Sequence, residues 1–434
     1  MEEKGKSITF LLFLVMFSTF QGCISAASQL SSIIKTTRSK TSNRIGSTTV
    51  FPVTGNVYPL GYYSVSLQIG NPPKTFDLDI DTGGDLTWVQ CDAPCKGCTM
   101  PRNALYNPKN NLVPCKDPVC YAIHSSGNHQ CDSPTAQCDY EVEYADHGSS
   151  LGVLVIDHFP LRLTNGSVLG PSLTFGCGYD QSNPGPNQPP PTAGVLGLGV
   201  GKASIMSQLY SLGLTRNVLG HCLSGRGGGY LFLGDDIVPS SGIAWTPMSS
   251  SSLDTHYSSG PAELFYGGKT TGIKGLQTIF DSGSSYTYFN SDAYKTTLDL
   301  IRKDLSGKQL KDARAGTSPT NLLERHETFQ NHKRSYLIVT GRGNVCLGIL
   351  NGTEVGLGNL NIIGDISLQD KMVIYDNEKQ QIGWVSSNCD RVPNVDSASD
   401  KGFSRRSDAK RVYDTSLRLI ASASAVIIHG LMLL

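Results

Sequence analysis

The chain has 434 residues, with 36 Lys+Arg against 36 Asp+Glu and a formal net charge of zero, a balance that argues against nucleic acid or an acidic surface as partner. Its length suffices for two lobes with separate cores. The 47 glycines, set among short β-branched runs bounded by Gly, Pro, Asn and Ser, point to an all-β protein.

Residues 1–27 read as a secretory signal peptide: Lys4 and Lys6 precede an apolar run from Ile8 to Phe20, and small residues from Ser25 to Ala27 offer a cleavage site. The run is too short to span a membrane comfortably. Cleavage removes Cys23 and leaves eleven of the 12 cysteines, expected as disulfides in an oxidising compartment with one thiol over. Residues 28–55 are rich in Ser and Thr, carry Lys35, Arg38, Lys40 and Arg44, lack periodicity, and read as a propeptide or flexible linker.

The body begins at residue 56. YYSVSLQIG alternates as a strand ending at Gly70, and Asn71-Pro72-Pro73 turns the chain into FDLDIDTGGDLTWVQC, from Phe76 to Cys91. There Asp77, Asp79 and Asp81 share one side of a strand that presents Leu78 and Ile80 on the other, so the strand carries acids into a glycine turn. A calcium loop would need Gly where Thr82 stands and Glu where Trp88 stands. Seven cysteines (Cys91, Cys95, Cys98, Cys115, Cys120, Cys131 and Cys138) crowd an insert over 91–138 without a histidine pair at metal spacing, so no metal site is expected. Gly148 to Gly152 fits the G-x-S-x-G pattern of serine hydrolases, but extended VEYA and VLVID flank it where an elbow needs strand then helix, so a hairpin is expected. Asn165-Gly-Ser167 and Asn351-Gly-Thr353 are glycosylation acceptors. GLGVGKAS lacks the phosphate-loop pattern, with Leu196 in place of its first glycine and Ala203 in place of Ser or Thr.

An internal repeat organises the body. FDLDIDTGGDLTWV recurs as LQTIFDSGSSYTYF, so Asp81-Thr82-Gly83 is answered by Asp281-Ser282-Gly283. AGVLGLG (Ala193 to Gly199) follows the first copy and LNIIGDISL (Leu360 to Leu368) the second. Two copies of strand, D-(T/S)-G turn, strand and apolar-apolar-Gly imply two related lobes, 56–242 and 243–391, with their boundary near Ser240 to Trp245. If the lobes meet turn to turn, two carboxyls come within hydrogen-bonding distance. Like charges that close share one proton and titrate as a unit. The charged oxygen can then take a proton from water while the protonated one polarises a carbonyl, which is acid–base hydrolysis of an amide; the aspartic proteases are the standing example of such a dyad.

Over roughly Val57 to Asp390 the chain resembles the pepsin-family aspartic proteases, and among them the plant nucellin-like group. The motifs are DIDTGGDLTWVQCDAPC, CDYEVEYADHGSSLGVLVID, TFGCGYDQ, AGVLGLG, IFDSGSSYTYF and NIIGDISLQDKMVIYDNEKQQIGW. The resemblance implies a bilobal fold with a substrate cleft between the lobes, Asp81 and Asp281 as the catalytic pair, and active-site loops made by Thr82, Gly83 and Gly84 and by Ser282, Gly283 and Ser284. It further implies that Thr82 and Ser282 brace the loops across the interface, and that Tyr144 is the flap tyrosine with Trp88 beside it. A polypeptide substrate, a monomer and no cofactor are expected.

The sequence departs from the family in two places. Gly84 stands where Ser or Thr normally follows D-T-G, whereas the second lobe keeps Ser284. Between Leu310 and Ser335 the chain is polar and unpatterned where relatives carry a cysteine and core strands, which leaves Cys346 as the expected orphan thiol and the second lobe short of sheet. These departures keep open an alternative, a catalytically silent binding or inhibitor protein on the same scaffold. The tail, 392–434, turns polar and ends in LRLIASASAVIIHGLMLL; with small residues at Ser407, Asp408 and Ala409 it matches a GPI-attachment signal, with a membrane span as the other reading. The location implied is the secretory pathway, then outside the cell or on its surface.

Overall fold

A computed structural model of the chain describes residues 47–124, 131, 133, 135–183, 191–249, 256–305, 312–313, 322–323, 336–339, 345–393, 417–421 and 426–427. The signal peptide, residues 28–46 of the linker, most of the 311–334 segment and most of the tail lie outside the described residues.

The first half of the chain supplies β1 (Thr49–Asn56), β2 (Tyr62–Ile69), β3 (Lys74–Asp81), β4 (Trp88–Gln90), β5 (Asp139–Glu143), β6 (Ser149–His158), β7 (Leu161–Arg162), β8 (Val168–Leu169), β9 (Ser172–Ser182), β10 (Gly194–Gly197), β11 (Val218–Leu223) and β12 (Gly229–Leu233). The second half adds β13 (Ala244–Pro247), β14 (Ser258–Tyr266), β15 (Lys269–Thr270), β16 (Leu276–Phe280), β17 (Thr287–Phe289), β18 (Asp312–Ala313), β19 (Leu322–Leu323), β20 (Leu337–Val339), β21 (Val345–Leu347), β22 (Ile349–Asn351), β23 (Asn361–Ile363), β24 (Lys371–Asp376) and β25 (Gln381–Ser386). Two tail strands, β26 (Leu417–Ala421) and β27 (Val426–Ile427), pair with β14 and with each other. Helices are few: α1 (Pro118–Ile123), α2 (Ile205–Ser211), α3 (Ser291–Leu305) and α4 (Asp365–Leu368). Among the described residues no helix is long and apolar enough to cross a membrane.

Alternation makes these strands. In β3 the side chains of Phe76, Leu78 and Ile80 enter the core, while Asp77 stays exposed and accepts a hydrogen bond from Ser66 Oγ. Burial then rises along the acidic face, so the same strand that begins at the surface delivers Asp81 to the interior at 7% exposure. One stretch corrects the linker reading. Residues 49–55, the end of the expected linker, form β1, which pairs with β12 on one side and β2 on the other. The short apolar run Val50-Phe51-Pro52-Val53 within TVFPVTGN was hidden by the Ser- and Thr-rich composition that precedes it.

Thirteen strands run continuously in the order β13-β25-β24-β11-β12-β1-β2-β3-β10-β4-β9-β6-β5, and a second sheet is ordered β22-β17-β23-β16-β14 before the tail strands. The sequence repeat is a repeat of topology. Strand β10 lies between β3 (parallel) and β4 (antiparallel), and β23 lies between β16 (parallel) and β17 (antiparallel). Each apolar-apolar-Gly segment is therefore threaded between the strands that enter and leave a D-(T/S)-G turn. The first sheet also joins the two halves, since β24 pairs with β11 from Val218↔Asp376 to Cys222↔Met372, and the Cys222–Cys389 disulfide fastens the same region.

Four further disulfides, Cys91–Cys177, Cys95–Cys98, Cys115–Cys131 and Cys120–Cys138, tie the cysteine-rich insert to itself and to β9. Cys346 is the one free cysteine among the described residues. It lies on β21 beside β19, one of two short strands described within the polar segment. Gly148 to Gly152 enters β6 of the β5–β6 hairpin, with no strand-to-helix elbow.

Candidate active site

The two repeat turns meet. Thr82 Oγ1 donates to the carbonyl of Phe280 at 2.9 Å and accepts from the Ser282 amide at 2.9 Å. Ser282 Oγ donates to the carbonyl of Ile80 at 3.0 Å and accepts from the Thr82 amide at 3.1 Å. Both side chains are buried, so each hydroxyl satisfies backbone groups of the opposite turn that water cannot reach. Only a short hydroxylated residue can do this, which is why Thr and Ser occupy the middle of the two motifs.

The brace brings Asp81 and Asp281 together, each carboxyl lying against the glycine of the opposite turn. Asp81 Oδ1 accepts from the amides of Gly83 at 2.8 Å and Gly84 at 3.1 Å, and Asp281 Oδ1 accepts from Gly283 at 2.8 Å. A Cβ on Gly83 would lie 2.6 Å from Asp281 Oδ1, and one on Gly283 would lie 2.6 Å from Asp81 Oδ1. Each glycine thus leaves room for the carboxyl of the other turn. Burial, and then the charge of Asp281, raise the Asp81 carboxyl well above the usual carboxylate range, against the pull of the Gly83 and Gly84 amides.

Gly84 adds a constraint. A Cβ there would fall 2.7 Å from Asp81 Oδ2, so the carboxyl occupies the space a serine would need. In the second turn Ser284 is half-buried, and its carbonyl accepts from the amide of Asp365 at 2.8 Å. The equivalent bond in the first turn runs from the Gly199 amide to the Gly84 carbonyl, also 2.8 Å.

Trp88 and Tyr144 are also brought together: Trp88 Nε1 donates to the Tyr144 hydroxyl at 2.7 Å. Tyr144 closes β5, and its amide and carbonyl bond across the hairpin turn to Gly148 and His147. Burial and then the charge of Asp81 raise the Tyr144 phenol, so it stays protonated while Trp88 holds its oxygen. The two glycosylation acceptors differ in setting. Asn165 is exposed in the β7–β8 turn, whereas Asn351 is half-buried in β22 and accepts from Ser291 Oγ at 3.1 Å.

The matches to known proteins fall along the same span. The family models described as xylanase inhibitor N-terminal and xylanase inhibitor C-terminal match residues 63–235 and 320–386. An aspartic proteinase of Oryza sativa subsp. japonica is 39% identical over 389 residues, covering 81% of this chain and 94% of the relative. The chain belongs to the pepsin-like aspartic proteinase family. Aspartic proteinase nepenthesin-1 of Nepenthes gracilis is 28% identical over 371 residues, 76% of this chain and 78% of that one. Two solved structures share the fold at 18% identity: basic 7S globulin from soybean (TM-score 0.60, 80% of this chain and 99% of that one) and aspartic proteinase from Irpex lacteus (0.55, 79% and 98%).

This aspartic proteinase carries more acid around its paired turns than the motifs announce. Asp79, two residues before Asp81, accepts from Thr192 Oγ1 at 3.0 Å through Oδ2, while its Oδ1 is buried without a partner. Burial raises its carboxyl to about 7, partly offset by Thr192. Asp365 opens α4 fully buried, Oδ1 again unpartnered; burial and then the charges of Asp281, Asp79 and Asp81 hold it well above its ordinary value. The i, i+2 spacing of Asp79 and Asp81 was visible in the sequence. The approach of Asp365 was not, because it depends on the threading of β23.

Proposed function

We propose that the chain is an aspartic-type endopeptidase in which Asp81 and Asp281 activate one water between them. The observation that carries the reading is the reciprocal brace of Thr82 and Ser282, which sets each carboxyl against the glycine of the opposite turn. The charged carboxylate takes a proton as the water oxygen bonds to the peptide carbon, and the protonated carboxyl gives its proton to the carbonyl oxygen. The tetrahedral diol then collapses: a hydroxyl proton returns to a carboxylate and the amide nitrogen leaves as an amine after accepting a proton. No covalent enzyme intermediate is needed.

In this reading Gly83, Gly84, Gly283 and Ser284 shape the loops around the pair, and Tyr144, anchored by Trp88, is the hairpin tyrosine that covers a bound polypeptide. The lobes are 56–242 and 243–391, and the protein acts as a monomer. Within the family we place it in the nucellin-like group, on the motifs DIDTGGDLTWVQCDAPC and CDYEVEYADHGSSLGVLVID. Five disulfides and the leader at 1–27 support passage through the secretory pathway, with a glycan chiefly at Asn165, little at the second acceptor Asn351, and a C-terminal lipid anchor added there.

The test is cleavage of a denatured protein at acid pH. Activity that pepstatin blocks and that Asp81→Asn abolishes is the expected result; full activity in Asp81→Asn would refute the assignment. Gly84 and the xylanase-inhibitor description of the matching models favour a second reading, a silent binding protein on this scaffold. Folded wild-type protein without any cleavage would select it.

A further inference from the structure

The hairpin that carries Tyr144 stands at the margin of a sheet. Strand β5 ends the thirteen-strand order and, among the described residues, pairs with β6 alone, from Asp139↔Val153 to Glu143↔Ser149. Its backbone groups therefore alternate between β6 and the outside. The Cys138 carbonyl accepts from the Leu154 amide at 2.8 Å, and the Tyr144 amide donates to the Gly148 carbonyl at 2.8 Å. The even-numbered residues thus face β6, and the backbone of Asp139, Glu141 and Glu143 faces outward. A strand paired on one side only is among the first parts of a sheet to open.

The cysteine-rich insert covers that margin at its root. The Asp139 carbonyl, the first to face outward, lies 2.8 Å from Nε2 of His124, the residue that ends α1. A carbonyl only accepts, so Nε2 carries a hydrogen, in the neutral ring and in the imidazolium alike. One residue earlier, Cys138 is joined by a disulfide to Cys120 of α1, and its amide donates to the Val113 carbonyl at 3.0 Å. The helix is fixed at its start, where Asp117 accepts from the Val119 amide at 2.8 Å. Along the inner face of the hairpin, Tyr140, Val142 and Tyr144 share one apolar cluster with Cys120 and Ile123 of α1 and with Trp88. A Cβ on Gly176 would lie 2.6 Å from Tyr140 Cε1 and 2.8 Å from Trp88 Cβ, so these two side chains meet over that glycine of β9. Trp88 in turn sits on β4, the strand that leaves the Asp81 turn, and its Nε1 holds the Tyr144 hydroxyl at 2.7 Å.

We propose that α1 is a clamp on the root of this hairpin: Cys120, Cys138 and His124 are positioning residues that hold β5 so that Tyr144 stays against Trp88, where a bound polypeptide needs it. This rests on the peptidase reading. The insert acts on catalysis only through β5, by limiting how far the covering hairpin opens between substrates. Because His124 donates through Nε2 whether or not its ring is protonated, the clamp persists at acid pH.

The test uses the full chain with His124→Ala, with His124→Gln as a conservative donor, and with Cys120→Ala and Cys138→Ala together. When the wild type is active, loss of one neutral hydrogen bond predicts a fall in kcat/KM of roughly three- to tenfold for His124→Ala, most of it recovered by His124→Gln. Combined with Tyr144→Phe, the loss should be smaller than the product of the two single losses, because both act through one hairpin. Unchanged kcat/KM in His124→Ala, or losses that simply multiply, would overturn the clamp and leave the peptidase reading intact. Hydrogen exchange decides independently of activity: residues 139–148 should exchange faster in His124→Ala and faster still in the cysteine pair, with the rest of the chain unchanged. Should the cysteine pair fail to fold, His124→Ala still decides. Exchange over 139–148 equal to wild type, or raised throughout the chain, overturns the clamp even if the protein cleaves nothing.

Discussion

Replacing Asp79 by Asn removes a titrating group and keeps its shape, because an amide oxygen can still accept from Thr192. In the folded chain the Asp79 carboxyl titrates at about 7, against 3.8 for an unperturbed aspartate, and burial is the dominant cause. The folded state therefore holds this proton more tightly than the unfolded chain. Its contribution to stability is complete below 3.8 and disappears as pH rises through 7. A shift of roughly three units at 1.36 kcal/mol per unit comes to roughly 4 kcal/mol. Urea unfolding of wild type and Asp79→Asn at pH 4 and pH 8 reads the quantity directly. The two proteins should unfold with similar free energies at pH 4, and the variant should be the more stable by roughly 4 kcal/mol at pH 8. Asp81 and Asp365, both raised, slope the same way in both proteins; because the Asp79 charge is among the causes that raise Asp365, the difference reads Asp79 together with its coupling to Asp365. A difference that stays constant within about 1 kcal/mol across that range would refute the argument that burial holds Asp79 protonated.

Gly84→Ser places a Cβ 2.7 Å from Asp81 Oδ2, so the carboxyl must shift to admit it; with the serine then donating to that oxygen, the acid limb of kcat/KM should move down by about one unit, and coincident pH–rate profiles for the two proteins would contradict it. Gly283→Ala puts a methyl 2.6 Å from Asp81 Oδ1 and must push the carboxyls apart. A displacement of this kind costs on the order of a hundredfold, and kcat within threefold of wild type would be inconsistent with it. Glycosidase digestion followed by peptide mapping should find a glycan at exposed Asn165 and little at half-buried Asn351, and equal occupancy would count against burial as the control.

The fold was legible where chemistry repeats along the chain. Two D-(T/S)-G turns, each between apolar strands and each followed by apolar-apolar-Gly, predicted two related halves, and β3–β10–β4 and β16–β23–β17 are those halves. The turn itself is dictated locally: a carboxyl at a strand end, a hydroxyl for the opposite backbone, and a glycine because the other carboxyl fills the space a Cβ would need. Strand β1 was missed because polar composition upstream masked a short apolar run whose partners, β2 and β12, lie on either side of it in space.

What stayed hidden was the company kept by Asp81 and Asp281. Asp365 arrives through a strand threaded between two others, and no local pattern encodes that approach. Whole-chain neutrality carries no information about the site: 36 cations balance 36 acids overall, yet no cation is among the groups that act on Asp79, Asp81 or Asp365. Placed together, with no cation among the groups that act on them, these acids hold their protons more tightly than free aspartates. A hydrolytic centre of this kind therefore belongs to acid conditions by construction, since each carboxylate formed on raising the pH makes the next proton harder to remove.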